Sequence, residues 1–378
     1  MSRIEGTIPL RSVRTNLPMN QRLLSVLKPV RGGFLAATVI AGTAIVSGSI
    51  AFGASSKPSL GLAKPQTLAI KAEPLGSFSR AGGSDPSNGP LVWRGGLALS
   101  AETDKFGGFS GLLISADGRD LLAVSDAGGW LKGRIDYSGA RPVGLSAASI
   151  GSLVARDGNP LRRNRERDAE DLALVSGTLA KGEILVAYEQ NNRIVRYAVS
   201  NGVPGRPLQV IAPPAALRKF SRNGIEAMTV MRGGPHKGRI VAFSENAGSN
   251  ERHAGWIWIG ADPKPLNVLS RGGFALTSAA SLPDGTLLLL ERRFTIFEGV
   301  RMRLRRIDAT AVKPGALLDG EVLIEADMSG EIDNMEGLAV HTAENGDTVL
   351  TIISDDNFNR TLQRTLLLQF TLLPRARS

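Results

Sequence analysis

The chain has 378 residues, 42% of them hydrophobic, no cysteine and a formal net charge of +10. The apolar share is enough for a sizeable core and excludes a chain that is disordered throughout. Without cysteine neither a disulfide nor a thiolate site can form, and the three histidines are too far apart in the sequence to predict a zinc site. Hard cations with oxygen ligands are the metals that this composition allows.

Roughly half of the net positive charge lies at the N-terminal end, before residue 32. Residues 1–31 form a basic leader, and residues 32–54 are uncharged, apolar and about long enough to cross a bilayer as a helix. A basic flank stays on the cytoplasmic side, so export of the following chain is expected. We predict a periplasmic or other extracytoplasmic protein, either secreted after signal-peptide cleavage or anchored in the inner membrane by an uncleaved helix. A buried core helix is the third interpretation of this stretch.

The rest of the chain divides into a linker and one domain. Residues 55–66 have the Pro, Ser and Lys content of a linker, and residues 67–376 repeat a pattern of strand, tight turn, strand and acid. Asp-Gly and Asn-Gly dipeptides supply the positive φ angles of hairpin turns, so each copy is predicted to be a hairpin. Five copies are visible, beginning at Phe109, Asp168, Gly224, Leu276 and Asn334.

Copies spaced by about 50 to 60 residues, with short strands and no helical period, predict an all-β propeller. Six blades are the favoured number. The sixth would combine strands within residues 67–100 with the last apolar run, residues 366–373, so that both chain ends close the ring. Five blades are the alternative number, and a two-sheet sandwich is the alternative fold because it uses the same strand pattern.

Acidic residues recur at two places in the repeat, and a propeller brings such places together around its axis. The first place is near the start of the first strand, where Ser110 and Ser278 are expected to replace the acid in two copies. In the other three copies it holds Glu170, Glu226 and Glu336. The second place is the end of the next strand, and its predicted occupants are Asp126, Glu189, Glu245, Glu291 and Asp355.

Several carboxylates brought together without a cation would repel and raise one another's pKa. Calcium removes this cost, because it accepts six to eight oxygen ligands with loose geometry. Asn223, Asn246 and Asn334 stand beside the acids and could complete its shell. The other interpretation is that these acids are turn residues, paired with arginine or solvated. The predicted calcium ligands are Glu170, Glu226, Glu336, Asp126, Glu189, Glu245 and Asp355.

Arg193, Arg292 and Arg293 follow the acids, and their guanidinium groups suit a small anionic or ester substrate. A nucleic-acid partner is not expected, because aromatic residues are few and are not interleaved with the basic ones. The sequence has no nucleophile elbow. Hydrolysis would therefore be metal-assisted, with a spare carboxylate as general base. The predicted catalytic residues are Glu170, Glu226 and Glu336.

Six ordered motifs resemble the phytase-like domain family, whose members are described as having esterase-like activity of phytase. They are FGGFSGL at residues 106–112, VSDAGGW at 124–130, DAEDLA at 168–173, NGIEAM at 223–228, LERRF at 290–294 and NMEGL at 334–338. The likeness runs from about residue 97 to residue 370. It implies a distant relation to β-propeller phytases, which are calcium enzymes that release phosphate from inositol phosphates. The chain lacks the Asp-Ala-Ala-Asp-Asp-Pro opening of those phytases.

Within this resemblance, Glu170, Glu226, Glu336 and Asp126 match acids of the family motifs, and the pair at 292–293 matches the Glu-Arg motif. The predicted function is an exported propeller that hydrolyses phosphate esters or other esters with the help of a metal. Two alternatives stand beside it: a non-catalytic envelope propeller that binds a ligand or a partner protein, and a lactonase-type hydrolase. The oligomeric state is left open.

Overall fold

A computed structural model describes residues 59–82, 89–219, 224–244 and 251–375. The basic leader, the apolar stretch 32–54 and residues 55–58 of the predicted linker lie outside these residues, so the predictions made for them stay predictions. Within the described ranges, no helix is both long enough and apolar enough to span a membrane.

The first three strands precede the repeats, and a ring of five sheets, blades I to V, follows. These strands are β1 (Gln66–Thr67), β2 (Lys71–Leu75) and β3 (Leu91–Ser100). Blade I comprises β4 (Phe109–Ile114), β5 (Asp120–Ser125), β6 (Gly129–Ser138) and β7 (Arg141–Ser152), with β1 at its outer edge. Blade II follows one helical turn, α1 (Asn164–Arg167), and comprises β8 (Ala169–Gly177), β9 (Lys181–Tyr188), β10 (Arg193–Ser200) and β11 (Val203–Ile211).

The remaining blades repeat this meander from the axis outward. A 3-10 turn (Ala215–Lys219) leads to blade III, with β12 (Ile225–Val230), β13 (Ile240–Ser244), β14 (Arg252–Ile259) and β15 (Asp262–Leu269). Blade IV contains β16 (Ala275–Ser281), β17 (Leu287–Thr295) and β18 (Gly299–Ile307). After it, β19 (Leu317–Leu318) adds to β15, and β20 (Glu321–Ala326) completes blade IV. Blade V contains β21 (Asn334–Thr342), β22 (Thr348–Asp355) and β23 (Thr365–Leu372), followed outward by β3 and β2.

The propeller fold is confirmed, and the favoured number of six blades is corrected to five. The strands expected to form a sixth blade are the outer part of blade V, because β23 pairs with β22 on one side and with β3 on the other. The register runs from Leu91 opposite Leu372 to Leu99 opposite Thr365. Both ends of the domain therefore close the ring, as predicted, inside a blade that the last repeat begins.

The core is divided into five main apolar layers, one between each pair of neighbouring blades. The run Leu287–Leu290 of β17 is fully buried on both sides. Burial on both faces explains why such strands read as continuous apolar runs rather than as alternating ones. Tight turns at the predicted Asp-Gly and Asn-Gly dipeptides join them, with φ of 77° at Gly118 and 87° at Gly346.

The layer that closes the ring, between blades V and I, contains a buried histidine at the end of β21. His341 is 5% exposed, and a Cβ added to Gly118 of blade I would lie 2.4 Å from its Nε2. Burial, helped by Arg94, lowers the pKa of His341 to about 4. The folded state disfavours the charged form of His341. The stability contributed by the neutral side chain is therefore fully present above the unfolded pKa of 6.5 and is lost as the pH falls toward 4.

Acidification from pH 7 to pH 4 is therefore expected to destabilise the wild type by about 3 kcal/mol more than His341→Leu. Urea unfolding of both proteins across this range measures the difference. The matched control is His236→Gln, in the loop before β13, and it should keep the wild-type pH dependence. Parallel pH profiles for the wild type and His341→Leu would contradict the prediction.

Candidate functional site

Each inner strand carries a β-bulge near its start, which leaves one residue without an opposite neighbour. In blade II, Ala169 pairs with Tyr188 and Asp171 with Ala187, so Glu170 is the bulged residue. The equivalence of the three glutamates inferred from the repeat holds in this register. The fifth member is Thr277 rather than the predicted Ser278, which lies one residue further on. The five bulged residues are Ser110, Glu170, Glu226, Thr277 and Glu336.

The second predicted place, at the end of the next strand, is corrected in blade IV. Glu291 pairs with Leu276 and lies one position deeper than its supposed equivalents, where it is fully buried. Arg292 pairs with Ala275 and occupies the position that Asp355 has opposite Asn334. The rim is therefore not a uniform ring of acids. Among the described residues, the positions at the end of the second strand hold Asp126, Glu189, Arg292 and Asp355. The predicted residues Glu245, Asn223 and Asn246 lie outside the described residues.

Three carboxylates converge at the inner corner of blade II. Single oxygens of Asp168, Glu170 and Glu189 all lie within 4.8 Å of one another, a spacing that suits ligands of one cation. Asp168 is 2% exposed, and its backbone oxygen accepts the N–H of Glu189 at 3.0 Å. We call these three residues the blade II acid group. Glu170 and Glu189 were predicted ligands; Asp168 was missed, although its place two residues before Glu170 was a usable signal.

A second set of carboxylates lies where blade V meets blade I. Burial, together with the nearby carboxylates of Asp126, Glu336 and Asp356, raises the pKa of Asp355 well above its ordinary value. Asp356, which was not among the predicted site residues, also accepts the backbone N–H of Gly108 at 3.1 Å. Carboxylates whose charges raise one another's pKa favour a shared proton or a nearby cation. We call Asp126, Glu336, Asp355 and Asp356 the blade V acid group.

The three predicted substrate-binding arginines have different surroundings. Arg292 forms an ion pair with Glu336, with 3.2 Å between Nε and Oε1. The guanidinium of Arg193 lies over the ring of Tyr188, 3.9 Å from its centroid. Tyr188 immediately precedes Glu189 in the chain. Arg293 donates to the backbone oxygen of Gly272 at 3.1 Å and forms an ion pair with Glu298. The geometry thus brings Arg292 to the acids and binds Arg293 to the β17–β18 hairpin.

Directly beneath the bulges lies a buried carboxyl, Asp171, which no repeated pattern in the sequence marks as a site residue. Asp171 is 0% exposed, and its Oδ2 accepts hydrogen bonds from Met228 N at 2.8 Å and from Ser278 Oγ at 3.1 Å. Burial raises the pKa of Asp171 well above its ordinary value, against the lowering effect of these donors. Its sequence neighbour Glu170 belongs to the blade II acid group at the rim. Two adjacent residues of β8 therefore lie at two levels along the axis.

The chemistry of the donors fits a hard cation. The blade II acid group offers only carboxylate oxygens, which are the ligands that calcium prefers. No histidine of the chain belongs to either acid group, since His341 lies at the other end of β21 and His253 in β14. The donor set of the blade II acid group thus fits a hard cation.

These features define a five-bladed propeller with acidic groups and an arginine at one end of its axis. The sequence model of a phytase-like family, described as esterase-like activity of phytase, matches residues 104–358. Because the match spans more than half of the chain, the protein belongs to this family, and the resemblance seen in the six motifs is confirmed. A comparison with curated proteins gives no match. At the level of the family, the chain is a hydrolase-like propeller.

Proposed function

We propose that this protein is a calcium-dependent hydrolase of phosphate esters or other esters. The observation that carries the proposal is the blade II acid group, whose carboxylate oxygens lie within 4.8 Å of one another at the axial rim. Six to eight oxygens are needed for calcium, so backbone carbonyls, water or a substrate oxygen would supply the rest. This leaves room for a substrate to reach the cation.

The residues of the chain divide the remaining tasks. Asp168, Glu170 and Glu189 would hold the cation, which would supply Lewis acidity for an ester oxygen and for a water molecule. Arg292, held by Glu336, binds the anionic end of the substrate. Glu226 is half-buried at the bulge of the neighbouring blade III, and we assign to it the proton of the attacking water.

Turnover by the full-length protein tests this assignment. p-Nitrophenyl phosphate, phytate, p-nitrophenyl acetate and a lactone panel would be supplied with calcium or with EDTA. We expect calcium-dependent hydrolysis of at least one phosphate ester or carboxylic ester, and a roughly 10²- to 10⁴-fold lower kcat for Glu226→Gln. Glu298→Gln, at the ion pair with Arg293, is the matched control and should keep wild-type turnover. Hydrolysis of lactones alone would favour the lactonase-type alternative.

A non-catalytic envelope propeller is the second candidate. Two observations favour a binding role. Arg292 is already paired with Glu336, and neither acid group contains a histidine that could act as a general base. In that case calcium would raise the melting temperature, and no ester in the screen would be hydrolysed. We further propose export through residues 32–54, and the mass of the mature protein in extracytoplasmic fractions would separate cleavage from anchoring.

A further inference from the structure

One buried carboxyl oxygen joins three inner strands at the axis. Oδ2 of Asp171, on β8, accepts from Met228 N of β12 at 2.8 Å. It also accepts from Ser278 Oγ and Ala279 N of β16, at 3.1 Å and 3.3 Å. The other oxygen, Oδ1, accepts the N–H of the next residue, Leu172, at 2.8 Å. Four donors thus converge on a single side chain.

The two remaining blades meet the same place. Ser278 Oγ accepts the backbone N–H of Leu338 on β21 at 3.1 Å, so blade V is joined through the serine. Blade I approaches by close packing, because a Cβ added to Gly111 of β4 would lie 2.8 Å from Asp171 Cα. We call the pair Asp171 and Ser278 the axial hub.

The hub lies immediately beneath the bulged residues. Glu170 precedes Asp171, and Thr277 precedes Ser278. The bulged Glu226 and Glu336 stand two residues before Met228 and Leu338, whose N–H groups donate to the hub. Three glutamates on three blades are therefore each within two residues of a hydrogen bond to the same pair.

A bulge interrupts the ladder of hydrogen bonds, so the strand ladder alone does not fix the backbone around a bulged residue. Hydrogen bonds from a neighbouring blade can hold such a residue in one geometry. The Asp171 carboxyl suits this task because all four groups that face it are donors, and its two oxygens have lone pairs for about four donors. An asparagine would turn an NH₂ group toward at least one of the four donors.

We propose that the axial hub is a positioning device that sets the spacing of Glu170, Glu226 and Glu336 across the blades. The hub thereby determines calcium affinity and turnover without contacting the metal or the substrate. This inference rests on the proposed function, since calcium affinity reports on Glu170 and turnover on Glu226. It adds that the geometry of the site is set by cross-blade hydrogen bonds rather than by the individual blades.

The test compares Asp171→Asn and Ser278→Ala with the wild type, using full-length protein, titration calorimetry with calcium chloride and thermal unfolding. We expect each change to weaken calcium binding by about 10- to 100-fold, as for residues that orient metal ligands. The double variant should lose less affinity than the product of the two single losses, because both changes break one network. Ser278→Ala keeps the test decisive should Asp171→Asn fail to fold.

Ile257→Ala is the matched control for stability alone. Ile257 is fully buried in β14, the third strand of blade III from the axis, so its truncation should lower the melting temperature and leave calcium affinity within twofold of the wild type. If the hub variants have the same calcium affinity as Ile257→Ala, this inference is overturned and the proposed function still stands. A wild type that binds no calcium would instead overturn the proposed function, and this inference would fall with it.

Discussion

Asp168→Asn and Glu170→Gln are each expected to raise the calcium dissociation constant at least tenfold. Each replacement keeps the size of the side chain and removes one charged ligand from a group whose oxygens lie within 4.8 Å of one another. Each variant is compared with its own calcium-free state, so the predicted loss is a smaller stabilisation by calcium, whatever the stability of the calcium-free protein.

Thermal or urea unfolding with and without calcium measures this effect. At a calcium concentration of 100 times its dissociation constant, the wild type gains about 2.7 kcal/mol, and a tenfold weaker variant gains about 1.4 kcal/mol. Asp262→Asn is the matched control, because that carboxylate lies on β15 with 64% of its side chain exposed and pairs with Lys264. Equal calcium stabilisation in Asp168→Asn, Glu170→Gln and the control would exclude the blade II acid group as the site.

The second large effect is expected from Glu291→Leu, which should destabilise the protein by about 3 to 5 kcal/mol. Glu291 and Arg305 are both 0% exposed. The carboxylate accepts Nε and Nη2 of Arg305 at 2.8 Å and 2.6 Å, and Nε of Arg303 at 3.0 Å. Removal of the carboxylate alone leaves two guanidinium groups without their shared partner inside blade IV.

Urea unfolding measures this loss of stability, and a double replacement supplies the internal comparison. Glu291→Leu combined with Arg305→Met should be less damaging than Glu291→Leu alone, because no fully buried charge is then left unpaired. Glu298→Gln at the half-exposed pair with Arg293 is the surface control, with an expected change of at most about 1 kcal/mol. A loss below about 1 kcal/mol for Glu291→Leu would show that the buried cluster tolerates a missing anion.

Glu291 also shows how a local pattern misplaced one site residue. The apolar run of β17 ends at Leu290, so the sequence pattern predicts the strand end at Glu291. The strand continues to Thr295, and the bulge at Thr277 in the facing strand sets the count. The register of a strand depends on its partner strand. The sequence of β17 alone therefore could not predict that Arg292, rather than Glu291, lies at the rim.

The number of blades was decided by contacts that are distant in the chain. Residues 67–100 have the pattern of strands, but nothing in that pattern states which sheet they join. The strands β2 and β3 of this segment belong to blade V because β3 pairs with β23, which follows it by more than 250 residues, whereas β1 pairs with β7 of blade I. Local patterning determines that a segment is a strand, whereas long-range hydrogen bonds determine its neighbour.

By itself, the sequence determined the repeated hairpins, the all-β propeller, the closure of the ring by both chain ends and the equivalence of Glu170, Glu226 and Glu336. These follow from strand periodicity, turn dipeptides and repeat spacing, which are local properties. The tertiary structure alone decided the five-blade ring, the meeting of Asp168 with Glu189 and the role of Asp171. Each of these depends on which strands lie side by side and where a bulge shifts their register, because side chains far apart in sequence meet only through that pairing.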